Sequence, residues 1–206
     1  KPCSKARPMT PETLAALAAI AFASCWTPGP NNAMLASSGA TFGLARTIPH
    51  LLGVALGFPV MAVIVGLFLG EAFQRSALLQ EGLRWGGAAL LLWVAWKIAT
   101  AGGMGRAGAA ARPLRLHEAA AFQWINAKAW VMAVGTAAQF IRAEAPYASA
   151  LWIGGVFVAA GITSALGWAA GGAALGRFLG TPARIRAFNR VMAAMIALGV
   201  VGMILG

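Results

Sequence analysis

Two polar interruptions in otherwise apolar sequence could each bind a charged group. The first is Asn31 and Asn32, which directly follow Pro28-Gly29-Pro30. Proline and glycine end one helix here, and a helix that starts after them presents unpaired N–H groups and partial positive charge, which suit a carboxylate. The Asn amides can donate to that carboxylate or accept from an ammonium group. The alternative is that Asn31 only caps the new helix.

The second interruption contains Lys128, the one ionisable residue in an apolar run bounded by Phe122 and Val134. An ionisable residue at membrane depth is costly and is functional by default. The alternative is a lysine that reaches the membrane surface from a helix end. Asn126 adds an amide to the same segment. We expect one substrate-binding site formed by Pro28, Gly29, Pro30, Asn31, Asn32, Asn126 and Lys128.

The remaining titratable residues form no catalytic or metal-binding set in the sequence. All five acidic residues are Glu, and none lies deep in an apolar block. Cys3 and Cys25 are interpreted as unremarkable thiols. His50 and His117 lie near connections, where a solvated or interfacial role is expected. We therefore predict that the protein is not an enzyme and has no catalytic residues, no metal and no cofactor.

The composition predicts the elements that must position these groups. The chain of 206 residues is 60% hydrophobic and 10% charged, whereas a soluble domain is about a quarter charged. The apolar residues form blocks near the roughly 20 residues that span a bilayer. The six blocks are about 12–42, broken at Pro28, then 47–70, 77–99, 119–141, 148–175 and 187–205. This predicts an all-α integral membrane protein in a lipid bilayer, because too little polar surface remains for a soluble one.

The net charge of +11 would suggest nucleic acid in a soluble protein. Here Lys and Arg lie mostly between apolar blocks, so topology explains them better and no nucleic-acid partner is expected. The third and fifth connections carry seven of the sixteen: Arg106, Arg112 and Arg115, and Arg177, Arg184, Arg186 and Arg190. The positive-inside rule then places the first, third and fifth connections in the cytoplasm and both termini outside.

The chain divides into two similar halves. We expect residues 1–8 to be a native tail or a remnant of cloning, and residues 9–206 to be a single transmembrane transporter domain. Its halves are about 9–100 and 119–206, joined by a glycine-rich linker, about 101–118. A shift of 98 residues superimposes Pro28 on Asn126, Phe42 on Phe140 and Gly57 on Gly155. Three spans per half would invert the second half, and inverted repeats place a substrate site where their interruptions meet.

Glycines four residues apart recur within the apolar blocks and allow helices to approach closely. We expect them to pack inside one protomer, with a homodimer face as the alternative. The pairs are Gly53 and Gly57, Gly66 and Gly70, Gly167 and Gly171, and Gly172 and Gly176.

From about Met9 to Gly206 the chain resembles the lysine exporter (LysE/RhtB) family of bacterial amino-acid exporters. The resemblance rests on the Thr-Pro-Gly-Pro-Asn-Asn sequence of residues 27–32, on residues 53–57, and on the Asn-Ala-Lys-Ala-Trp sequence of residues 126–130. It implies six transmembrane helices, arranged as two inverted three-helix repeats with broken first helices. It also implies a secondary transporter that exports amino acids or related small zwitterions across the bacterial inner membrane.

Two departures from the family pattern change the expected chemistry. The family usually has Asn-Pro-Lys where this chain has Asn126-Ala127-Lys128, so a milder second break is expected. The family often has Asp after the Leu-Gly of the second span, where this chain has Phe58. This removes a proton acceptor and a partner for a cationic side chain, so neutral substrates are expected over lysine.

In this hypothesis, Asn31, Asn32 and the helix start at Pro30 hold the substrate carboxylate. Lys128 supplies positive charge or takes part in coupling, and the break permits alternating access. One alternative is an exporter of another small solute, a cation or an organic acid, although few carboxylates argue against a cation. Another is a non-transporting membrane scaffold subunit, which would need no polar centre.

Overall fold

The computed structural model describes residues 9–69, 75–100, 112–179 and 181–205. Helices and short turns account for these residues, and no strand occurs among them. The expected tail, residues 1–8, and the first part of the expected linker, residues 101–111, lie outside the described residues.

The described part of the first half contains four helices, with a break between the first two. They are α1 (Pro11–Trp26), α2 (Pro30–Phe42), α3 (Leu44–Ile64, continued by a π-helical turn at Val65–Leu69) and α4 (Ala77–Thr100). The break at Pro28 is therefore confirmed. Gly43 separates α2 from α3 with a φ of 78°, a left-handed conformation that glycine adopts without steric cost.

The second half repeats this order. It contains α5 (Leu116–Phe122), a 3₁₀ turn (Gln123–Ile125), α6 (Ala127–Phe140), α7 (Pro146–Leu179) and α8 (Pro182–Leu205). Its break needs no proline, because Asn126 leaves the helical conformation with φ −86° and ψ 106° and its side chain accepts a bond from the Lys128 N–H. Asn126 is therefore the polar N-cap of α6. Helix α5 begins at Leu116, three residues before the predicted block of residues 119–141.

The contacts between the two halves also repeat. Helix α1 packs against α7, and its counterpart α5 packs against α3. Helix α2 contacts α7 and α8, while its counterpart α6 contacts α3 and α4. Exchanging the halves therefore maps each of these contacts onto another observed contact.

Within the part of the chain that the structure describes, three helical segments are long and apolar enough to cross a membrane by length and composition: Leu44–Leu69, Pro146–Leu179 and Ala183–Gly202. Helix α1 is a shorter apolar helix. The first and fourth predicted blocks are each divided by a break, so neither forms one continuous helix of spanning length. Helix α4 has 24 residues but carries Glu81, Arg84 and Lys97. Among the described residues, the prediction of an all-helical fold with apolar segments long enough to span a membrane is confirmed at this level.

Glycines allow α2 and α3 to contact the second half at backbone distance. A β-carbon on Gly172 of α7 would overlap the Ala36 carbonyl of α2, and one on Gly53 of α3 would overlap the Leu116 carbonyl of α5. Gly57 and Gly176 make similar close approaches. Packing inside one protomer is therefore confirmed for these four glycines. Gly171 differs, because its added β-carbon would meet nothing within 4 Å.

Candidate solute-binding site

The first break leaves the start of α2 without a side-chain cap. Gly29 is the N-cap, in an extended conformation, and Pro30 occupies the first helical turn. The interpretation of Asn31 as the cap is wrong, because proline is favoured at the first helical position and moves the helix start ahead of Asn31. Within the described residues, no side chain bonds to the first N–H groups of α2 in a capping position.

The carbonyl groups at the end of α1 receive bonds from other helices. Asn32 Nδ2 donates to the Cys25 carbonyl at 2.8 Å and to the Thr27 carbonyl at 2.9 Å. Ser164 Oγ, on α7, donates to the same Cys25 carbonyl at 2.7 Å. The last carbonyls of a helix have no partner within it, and in hydrocarbon they must find one. The Asn32 side chain therefore stabilises the break itself.

An amide pair joins the two breaks. Asn31 Nδ2 donates to Gln123 Oε1 at 2.8 Å, and Gln123 Nε2 lies 3.4 Å from Asn31 Oδ1. Gln123 Nε2 also donates to the Ala119 carbonyl at 2.9 Å, and the Gln123 side chain is fully buried. The polar start of α2 is thus held against the 3₁₀ turn of the second break.

Lys128 makes a second connection between the breaks. Its Nζ donates to the Thr27 carbonyl at 2.9 Å. A β-carbon on Gly29 would lie 3.1 Å from Lys128 Nζ and 3.2 Å from its Cδ, so the lysine side chain passes directly over Gly29. The side chain is half-buried, and it extends to the first break, where α1 ends.

These groups line one cavity, with a volume of about 520 Å³ when its open mouth is included. Of the seven predicted residues, the cavity brings together Gly29, Asn31, Asn32, Asn126 and Lys128. The other two do not line it: Pro28 is exposed and Pro30 is buried in the first turn of α2.

The rest of the cavity wall is mostly apolar. Phe58 and Phe157 pack edge to face with ring centroids 4.9 Å apart, and Met132 completes this side. Pro59 in α3 has no N–H for the Ala55 carbonyl, and both residues line the cavity. Among the described residues that form the wall, none is acidic.

Sequence reasoning did not include four polar lining residues in the site. Ser24 and Cys25 end α1, Gln123 begins the second break, and Ser164 lies on α7. Position next to a break is a signal that could have found the first three. Ser164 has no such signal, because its role depends on the packing of α7 against α1.

The expected solvated or interfacial role of His50 is wrong. His50 is 1% exposed, and its Nδ1 lies 3.0 Å from Ser38 Oγ. Because α3 begins at Leu44, His50 lies more than one turn inside the helix, where α3 packs against α2. His117 is exposed on the first turn of α5, as expected.

The chain has relatives of known family. Residues 22–205 match the LysE type translocator family, and this range includes both breaks. The chain is 32% identical over 168 residues to the cysteine/O-acetylserine efflux protein of Escherichia coli strain K12, covering 80% of this chain and 84% of that protein. The same coverage applies to the proteins of that name from Escherichia coli O157:H7, at 33% identity, and Shigella flexneri serotype 5b strain 8401, at 32%.

No solved structure matches this chain. The family match confirms the predicted resemblance and the prediction of a membrane transporter rather than an enzyme. The match extends over both halves, with the two breaks, Lys128 and the polar start of α2 inside it. This chain belongs to the LysE type translocator family.

Proposed function

We propose that this translocator exports small neutral amino acids across the bacterial inner membrane and binds them in the cavity between the two helix breaks. One observation carries the proposal: Asn31 and Lys128, from opposite halves of the chain, line the same cavity and each bonds across to the other break. A scaffold subunit would need no such polar centre.

The cavity offers separate groups to the two ends of a zwitterion. The uncapped start of α2 and the Lys128 ammonium group supply positive charge for a carboxylate. The carboxyl end of α1 has partial negative charge, which favours an ammonium group. The Ala55 carbonyl, which Pro59 cannot satisfy, and the Asn31 amide oxygen are further acceptors for that group.

The wall of Phe58, Phe157 and Met132 favours a short, uncharged substrate side chain. A lysine substrate would bring a second cation near Lys128 with no acidic side chain in the wall to pair with it, and like charges at close range repel. The relatives named for cysteine and O-acetylserine efflux are consistent with this selectivity. Cysteine and O-acetylserine are therefore the first substrates we propose.

We also propose the finer membrane arrangement: a single transporter domain of residues 9–206 with six spans in two inverted repeats, each with a broken first helix. The repeated order of helices and the exchange of contacts between halves support it. The arginines of the third and fifth connections support an orientation with these connections in the cytoplasm. Alternating access would then open the cavity first to one side and then to the other.

A homodimer is a separate proposal. Gly171, Gly199 and Gly202 have nothing within 4 Å of an added β-carbon. Small residues on an open helix face permit a second membrane helix to approach closely. Chemical crosslinking in native membranes, with a Gly171→Leu variant that blocks such an approach, tests this pairing.

The test of the proposed function is counterflow in proteoliposomes with a panel of twenty labelled amino acids and O-acetylserine. We expect exchange of cysteine, O-acetylserine and other small neutral amino acids, and weak or no exchange of lysine and arginine. Faster exchange of lysine than of cysteine would contradict the proposed selectivity. The absence of exchange for the whole panel would contradict amino-acid export.

A further inference from the structure

A second polar group lies between α2 and α3, outside the cavity lining. Ser38 Oγ lies 3.0 Å from His50 Nδ1, and the His50 ring is 1% exposed. The other ring nitrogen, Nε2, is buried and has no hydrogen-bond partner in the described structure. An unpaired buried polar atom costs free energy, so this arrangement calls for an explanation beyond packing.

Ser38 and His50 lie on the faces of α2 and α3 that also carry cavity-lining residues. His50, Val54 and Phe58 are four residues apart along α3, and such residues share one face of a helix; the latter two line the cavity. On α2, Ser38 is seven residues from Asn31, which also lines it. His50 is therefore about one helical turn, roughly 6 Å, beyond Val54, towards the connection between α2 and α3.

No counter-ion for the ring is present among the described groups that pack around it. Helices α2, α5, α6 and α7 and the two short turns contact α3, and α2 has no titratable residue. The one carboxylate on these elements, Glu118, is bonded to Arg112. The other groups are Arg46 on α3, His117, Lys128, Tyr147 and Arg177.

Those groups are directed elsewhere or lie at helix ends. The Arg46 guanidinium lies over the Phe42 ring, 5.5 Å from its centroid. Lys128 bonds to the Thr27 carbonyl. His117, Tyr147 and Arg177 are exposed, on the first turn of α5 and at the two ends of α7. A positive charge on His50 would thus be uncompensated in this conformation, and we treat the ring as neutral here.

We propose that His50 is a proton-carrying site that couples substrate export to the entry of protons. This inference rests on the proposed function. Nε2 can accept a proton without losing an existing bond. The neutral ring then carries its proton on Nδ1, and that N–H donates to Ser38 Oγ in both the neutral and the protonated ring.

The step is a reversible protonation with no other bond change. In the outward-open state, Nε2 takes a proton from external water and the ring becomes an imidazolium. In the inward-open state, the proton leaves to cytoplasmic water and the ring returns to the neutral form. The ring charge costs least when the site is hydrated, so protonation favours states in which water reaches His50 over the conformation described here, in which the ring is buried.

The test compares two assays on the same proteoliposomes, with labelled cysteine kept reduced. Counterflow at equal pH on both sides requires substrate exchange but no net proton movement. Accumulation driven by a pH gradient requires coupling. We expect His50→Gln to retain counterflow and to reduce gradient-driven accumulation by at least about tenfold. The matched control is His117→Gln, which changes an exposed histidine in the same way and should behave as wild type.

The Ser38→Ala variant provides an independent test of the proposal if His50→Gln does not fold. Loss of the serine hydroxyl removes a partner of the protonated ring, so the pH profile of accumulation should shift to lower pH. Wild-type accumulation by His50→Gln, or an unshifted profile in Ser38→Ala, would overturn the inference. Loss of counterflow together with accumulation in a folded His50→Gln protein would also overturn it. Absence of counterflow in the wild type would instead reject the proposed function.

Discussion

Lys128 combines a structural bond with the charge proposed to hold the substrate. Its Nζ bonds to the Thr27 carbonyl, but that carbonyl also receives a bond from Asn32 Nδ2. Removal of the lysine amine therefore leaves the carbonyl satisfied and keeps the break intact. The same change removes the one ammonium group that lines the cavity among the described residues.

We therefore predict that Lys128→Met abolishes counterflow, while the thermal midpoint of the purified protein stays the same or rises, because a costly partly buried charge is removed. Lys128→Arg should keep the positive charge but transport poorly, since a planar guanidinium does not fit the space over Gly29. Counterflow and thermal melting of both variants check this. Wild-type transport by Lys128→Met would show that the lysine is only structural.

At the scale of elements, the packing of α2 against α7 depends on glycine. A β-carbon on Gly172 would overlap backbone atoms of Ala36, and backbone cannot move away as a flexible side chain can. Gly171 is the adjacent residue on the same helix but faces open space. The two positions differ in packing and share the same helix propensity.

We predict that Gly172→Ala destabilises the protein by about 1–3 kcal/mol through overpacking, which lowers the thermal midpoint by several degrees. Gly171→Ala should leave the midpoint unchanged or raise it slightly, because alanine is the better helix former. Melting curves of the two variants in the same detergent test whether their thermal midpoints differ as predicted. Equal midpoints would show that α2 and α7 are not in close contact in solution.

A charged cluster outside the apolar segments fixes the start of α5. Arg112 donates to both Glu118 oxygens, at 2.7 and 2.6 Å, and the Arg115 N–H donates to Glu118 Oε2 at 2.8 Å. The side-chain bonds from Arg112 are the main cause that lowers the pKa of Glu118 from 4.5 to about 2, and the backbone bond from Arg115 is the next largest cause. A carboxylate with a lowered pKa contributes stability above its unfolded pKa, and this is lost as the pH falls through the folded value.

We therefore predict that Glu118→Gln lowers the thermal midpoint by a few degrees at pH 7, since the neutral amide pairs less well with Arg112. The difference from wild type should decrease below about pH 4.5 and vanish only below about pH 2, where the wild-type carboxyl is also neutral. Melting curves between pH 2 and pH 7 test this. A difference that is constant over this range would mean that the ion pair does not form.

For the molecule as a whole, the local chemistry of the chain predicted the breaks well. Pro28-Gly29-Pro30 cannot continue a helix, and Asn126 is a strong cap, so both interruptions were readable from residue type. The apolar blocks gave the approximate ends of α3, α4, α7 and α8. The caps themselves were less certain, as the misassigned cap at Asn31 shows.

Features that depend on packing between distant parts of the chain could not be predicted from the sequence. Gln123 is 92 residues from its partner Asn31, and Ser164 is 139 residues from the Cys25 carbonyl. A side chain near a connection is exposed or buried according to the neighbour that covers it, and His50 is buried because α3 packs against α2. The symmetry of the two halves offers a constraint on such contacts, since exchange of the halves maps the main contacts onto one another.

Cys25 lines the wall of the cavity between the two breaks, so its reactivity reports directly on whether the substrate occupies that cavity. The measurement is the rate at which a small methanethiosulfonate reagent modifies Cys25 in a Cys3→Ser background, with and without O-acetylserine, and with lysine for comparison. We predict that O-acetylserine slows the modification several-fold and that lysine does not. An unchanged rate at concentrations of O-acetylserine that saturate transport would contradict it, because the substrate would then bind elsewhere.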